Sequence, residues 1–136
     1  MNKKYLSKII ATDNEGLQVI SACCSGAEVK VDQIKYLQSN KVFLLSLNRS
    51  KVETDEKDKK VTSICKFEFV DKVKSKNIKQ NEPEEKLELI GMDYLKNNDN
   101  YEINLMFTNN AYITLSTEII EVTLDDQNKA DQWLRY

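Results

Sequence analysis

At 136 residues, with 40% hydrophobic and 31% charged residues, the chain has the size of one ordinary domain, long enough to bury roughly two-thirds of the surface its unfolded form exposes. It contains no histidine, which removes the commonest general base and the commonest nitrogen ligand for metals, so zinc sites of Cys/His spacing are excluded. A formal net charge of −2 lacks the positive excess that draws proteins onto phosphate backbones, so nucleic acid is not the expected partner.

The charge is uneven along the chain: residues 1–80 carry +6 and residues 81–136 carry −8. Such asymmetry can mark separate partner surfaces. The simpler expectation is that both halves supply strands to one sheet, where the charges mix in space.

The first residues, MNKKYLSKII, have the basic start of an export signal, but Lys8 interrupts the apolar run an export signal needs. No stretch of about 18 apolar residues occurs that could span a bilayer. A cytoplasmic protein with free, reduced thiols is expected, in keeping with three cysteines, an odd number.

The first helix is expected over residues 13–24. Thr12 and Glu15 stand at capping-box spacing. Leu17, Ile20 and Cys24 then recur on one face, with Val19 and Cys23 as a flanking row. Gly26 stands where a helix ends in a left-handed residue. Alternation over Ala27, Val29 and Val31, followed by the apolar run Val42 to Leu47, predicts two strands of an antiparallel hairpin with QSN as its turn. The charged segment KVETDEKDKK reads as a solvated loop.

The clearest alternation follows. Cys65, Phe67, Phe69 and Val73 fall on one face of a long strand, and Lys66, Glu68, Lys72, Lys74 and Lys76 on the other, with Asp71 breaking the apolar row. NEPEE, with the only proline, is a loop; Leu87 and Leu89 then alternate towards Gly91, which predicts a bulge or close backbone approach. NNDN is a turn. Tyr101, Ile103, Leu105 and Phe107 alternate inward, Asn109 and Asn110 suit the positive φ of a tight turn, and Ile113 and Leu115 return. Asp125 or Asp126 could cap a short C-terminal helix that docks Ala130, Trp133 and Leu134.

The expected fold is therefore α+β: one domain over residues 1–136, with a single antiparallel meandering sheet of about six strands, an N-terminal helix and a short C-terminal helix. A sheet of this order can curl into a roll of the pleckstrin-homology kind, an analogy of fold alone.

Successive blocks of the chain, DNEGLQVISACCSGAEVKVDQIKYL, LNRS, FEFVDKVKSKNI and ITLSTEIIEV, resemble a family of small alphaproteobacterial proteins known only as a domain of unknown function. The resemblance implies a single-domain bacterial cytoplasmic protein without an assigned activity, and it supplies no catalytic residues. It also implies that cysteine is not required at Cys23 and Cys24, which favours packing there over chemistry.

The adjacent thiols point the same way. Consecutive Cα atoms lie about 3.8 Å apart, less than the roughly 4.4–6.8 Å a relaxed disulfide spans. At the end of a helix the dipole disfavours a thiolate. A bridge from Cys23 or Cys24 to Cys65 remains open on sequence alone.

Glycines 16, 26 and 91 are too far apart to build a phosphate loop, and no spacing selects a catalytic pair from the 22 acidic residues. The adjacent Ser-Lys pairs would point to opposite faces of a strand. No catalytic residue, cofactor or metal is expected.

Two polar features stand out. Lys72, Lys74 and Lys76 would lie about 7 Å apart along one strand, as a stripe facing an anion or RNA or, the simpler expectation, as lysines that protect a sheet edge from pairing. Asn48 and Arg49 follow a buried strand, where a guanidinium can meet a ligand anion at the rim or form a structural ion pair. A non-catalytic interaction module that binds another protein, or itself, is the leading expectation; the alternative is a small enzyme or enzyme accessory using carboxylates or lysines in a cleft.

Overall fold

A computed structural model describes residues 7–50 and 60–127. In chain order the elements are β1 (Lys8–Ala11), α1 (Asn14–Cys24), β2 (Glu28–Lys30), β3 (Ile34–Leu37), β4 (Val42–Ser50), β5 (Lys60–Phe67), β6 (Val70–Lys76), β7 (Lys86–Asn97), β8 (Asn100–Phe107), β9 (Tyr112–Thr117) and β10 (Val122–Asp126). Short 3-10 turns at Val31–Gln33 and Gln38–Asn40 flank β3.

All ten strands join one antiparallel sheet in the order β1-β10-β5-β4-β2-β7-β8-β9-β6, with β3 added beside β4. Ten irregular strands replace the expected meander of about six. The sheet is neither closed nor a pleckstrin-homology-like roll: β1 pairs with β10 and β6 with β9, and among the described residues no ladder joins β1 to β6. Nor does β10 give way to a helix at Asp125 or Asp126, since both residues pair with β5. The positions of Ala130, Trp133 and Leu134 lie outside the described residues, as does most of KVETDEKDKK.

Strands from both halves of the sequence meet in this sheet. The short β2 is the seam, paired with β4 through Glu28↔Asn48 and with β7 through Glu28↔Glu88 to Lys30↔Lys86. Opposite charges from the two halves meet there as Lys30–Glu84 and Lys86–Glu28 contacts.

α1 starts one residue later than expected and is capped by Asp13 rather than Thr12. The Asp13 carboxylate accepts the Gly16 N–H at 2.8 Å, satisfying a donor that the first turn leaves free. Leu17, Ile20, Cys23 and Cys24 are buried, while Val19 is half exposed and outside the apolar face. Gly26 has the expected left-handed φ of 83°.

The bulge expected at Gly91 is present, as a register shift between Leu89 and Gly91. Its cause is visible beyond the end of β2. There the open edge of β7 meets the end of α1 instead of a strand: Ser21 Oγ accepts the Met92 N–H at 2.8 Å, and Ser25 Oγ donates to the Ile90 carbonyl at 3.2 Å. Turns at Asn98 and at Asn109–Asn110 take the positive φ that their residue types allow.

The long strand expected through residues 65–76 is broken into β5 and β6. Glu68 and Phe69 form the break, Phe69 at φ 58° and 41% exposed, so Val70 takes the inward place expected of Phe69. A second irregularity at Asp71 displaces the register between Val70 and Lys72, and Asp71 turns out to meet Lys41 at 3.0 Å. Val31 likewise leaves its expected strand for a 3-10 turn, and the hairpin closed by QSN is formed by β3 and β4.

Candidate functional site

Arg49 and Asp126 form the principal buried charge pair. β4 carries Leu45, Leu47 and Arg49 on its inward row, and β10 carries Val122, Leu124 and Asp126 on its own. Each row thus ends in a charge facing the interior, and β5 lies between the two strands. Arg49 donates from an NH2 group to Asp126 Oδ1 at 2.9 Å and from Nε to Ser63 Oγ at 3.0 Å. Ser63 donates to the same Oδ1 at 2.6 Å, and Ser7 N–H donates to Oδ2 at 2.8 Å. The side chains of Arg49 and Asp126 are both fully buried.

Burial by itself pushes the Asp126 carboxyl up. The hydrogen bonds from Ser63 and Ser7 and the guanidinium of Arg49 outweigh it and hold the group below its usual range. Arg49 therefore sits in an internal ion pair, whereas Asn48, next to it in β4, faces solvent.

The three cysteines are buried as thiols, outside any disulfide among the described residues. Cys24 at the end of α1 and Cys65 on β5 are close neighbours. Burial pushes the Cys65 thiol well up, the Cys24 thiol adds to the effect, and nearby Arg49 opposes it.

Lys72, Lys74 and Lys76 all lie exposed on β6, the last strand of the sheet. From Lys72 to Lys76 the register with β9 is regular and places Ser116, Thr114 and Tyr112 opposite the lysines. The Lys76 ammonium lies 5.8 Å from the centroid of the Tyr112 ring. Behind Lys74 a polar row crosses the sheet: Thr114 Oγ1 donates to Asn104 Oδ1 at 2.9 Å, and Asn104 Nδ2 donates to Asp93 Oδ1 at 3.2 Å. Among the described residues no carboxylate forms an ion pair with any of the three lysines. The aromatic next to the stripe, Tyr112, belongs to β9, and cross-strand register, invisible in a single segment, puts it there.

The structure does not bring Asn48 and Arg49 together with the lysines: β2, β7, β8 and β9 separate β4 from β6 in the sheet. A surface hollow of about 550 Å³ lies at the start of α1, between Thr12, Glu15, Tyr94, Tyr101, Ile119 and Ile120. A smaller one of about 290 Å³ follows the turn between β7 and β8. None of the five candidate residues lines either hollow. Among the described residues no cluster of three or more His, Cys, Asp or Glu is placed to hold a metal ion, and no helix is long and apolar enough to cross a membrane.

A family model described as a protein of unknown function, DUF2948, matches residues 7–134. The chain belongs to that family. The match covers the whole sheet and α1, so it encompasses the β6 edge and the Arg49–Asp126 pair alike. It carries no restriction to alphaproteobacteria. No curated protein and no solved structure matches the chain.

Proposed function

We propose that the protein is a non-catalytic binding module that takes a partner protein along the β6 edge. The observation that carries this reading is the segment Lys72–Lys76 of β6, regularly paired with β9 alone, which presents three exposed lysines without carboxylate partners among the described residues. An ionic group left without a counter-charge on an exposed edge is available to a partner, whereas the Arg49 guanidinium is buried in a network with Asp126 and Ser63. The reading takes the protein as a bacterial cytoplasmic one, the setting its sequence resemblance implies.

The test is affinity capture from native cytoplasm with the wild type and with a Lys72→Glu/Lys74→Glu/Lys76→Glu variant, compared by quantitative mass spectrometry. Proteins retained by the wild type and lost from the folded variant support the reading. Identical recoveries, or a clean monomer with no recovered partner, contradict it.

A further inference from the structure

Edge strands are templates for pairing, and folded proteins blunt them with prolines, bulges, very short lengths or charged side chains. Of these devices β6 uses chiefly the last. It is seven residues long against four for β1 and four for β3, the other strands that end a ladder. The chain's only proline is Pro83, beyond β6, and the register irregularity lies at the start of the strand, leaving Lys72 to Lys76 regularly extended. What guards this edge is therefore charge, and a charge guard is selective by sign.

We infer that β6 accepts an acidic, extended segment of a partner protein as an added strand, with carboxylates at alternate positions facing Lys72, Lys74 and Lys76. This rests on the binding-module reading of the same edge and names its partner's chemistry. Side chains two residues apart on a strand share a face at about 7 Å spacing, so a segment with acidic residues at every second position matches all three lysines at once. Backbone hydrogen bonds along the edge give affinity and the lysine row gives specificity.

The other occupants fit less well. A second copy pairing antiparallel through β6 would set lysine rows against each other, and like charges facing across strands are destabilising. A single-stranded nucleic acid requires bases stacked between aromatic side chains along a basic groove. Here Tyr112 lies beneath Lys76, and the polar row behind Lys74 ends in the carboxylate of Asp93.

The test uses the isotope-labelled full chain and a capped heptapeptide alternating threonine and glutamate. Its controls are the counterpart with lysine in place of glutamate, two copies N-methylated on alternate backbone nitrogens, one in each register, and an oligouridylate. The glutamate peptide is expected to shift the amide resonances of residues 72–76 and to slow the hydrogen exchange of those whose N–H groups point away from β9. The triple Lys→Glu variant should lose roughly tenfold or more in affinity for that peptide and should gain binding of the lysine peptide. N-methylation in the pairing register should abolish binding, which separates strand addition from diffuse attraction.

Equal binding of the N-methylated peptides in both registers overturns the inference, as does oligouridylate binding that depends on the three lysines. A dimer whose formation shifts β6 overturns it too. Failure of the glutamate peptide while the variant still loses partners from cytoplasm overturns the acidic-strand inference and leaves the binding-module reading standing; failure of both removes both.

Discussion

Replacing Asp126 with alanine removes one partner of a pair whose side chains are both fully buried, so that the buried Arg49 guanidinium loses the Asp126 charge. Removing one member of a buried ion pair costs about 3–5 kcal/mol, much of it the desolvation of the charge that remains. Because domains of this size are stable by about 5–15 kcal/mol, the variant should fold only marginally. With a urea dependence of about 2 kcal/mol per molar, the unfolding midpoint should fall by roughly 2 M. The charge-free replacement Arg49→Met/Ser63→Ala/Asp126→Leu should lose less than Asp126→Ala alone, since apolar groups of similar volume carry no desolvation penalty.

The acid limb gives an independent check. The folded-state pKa of Asp126 lies below its ordinary value, so its contribution is fully present above about 3.9, the value of an unperturbed aspartate, and is lost as the pH falls through the folded-state pKa. The stability difference between wild type and Asp126→Asn should thus be constant near neutrality and shrink below about pH 4. Urea unfolding by far-ultraviolet circular dichroism across pH measures all of this. A loss under about 1 kcal/mol for Asp126→Ala, or a charge-free variant no more stable than that single variant, would refute the account of the pair.

Three further outcomes test the local packing. Native Cys23, Cys24 and Cys65 should resist a disulfide reagent that labels all three in urea, and Cys24→Ala or Cys65→Ala should cost about 1–2 kcal/mol of stability; rapid native labelling would contradict their burial. Asp13→Ala should cost about 1 kcal/mol and Thr12→Ala much less, measured by thermal unfolding, because Asp13 makes the capping bond; the reverse order would return the cap to Thr12. Gly16→Ala should destabilise by about 1–3 kcal/mol in the same assay, since its Cβ would lie 2.9 Å from both the Cα and Cβ of Ala11. Helix propensity alone argues the other way by about 1 kcal/mol, so a gain in stability would show that β1 yields easily.

What could be read from sequence was what depends on local pattern. α1 was legible from its period and Gly26, the hairpin turn from Asn109–Asn110, the bulge from Gly91 and the exposed lysine row from strict alternation. What escaped depends on distant pairing. β1 is four residues long and meets its ladder partner β10 more than a hundred residues later, so its own pattern is too short to stand out. Asp125 and Asp126 looked like a helix cap because such residues satisfy free amides; here Asp126 meets Arg49 across 77 positions instead. The period-two row Val122, Leu124, Asp126 was the available signal, matched by Leu45, Leu47, Arg49: two inward rows, each ending in an opposite charge. At Phe69 the alternation itself misled, because a positive φ shifted the phase by one residue and brought Val70 inward. The same break makes β6 a separate edge strand, which is why the lysine stripe could be seen in sequence but its place at the end of the sheet could not.

The central claim is most directly tested in the cell, by placing a photo-crosslinking residue at Ser75 within β6 and, as a control, at Asp32 in the exposed turn before β3. We expect Ser75 to capture an acidic, extended segment of a partner, with the product lost on Lys72→Glu/Lys74→Glu and absent at Asp32. No captured partner at Ser75, or the same products at both positions, would contradict a binding role for the β6 edge.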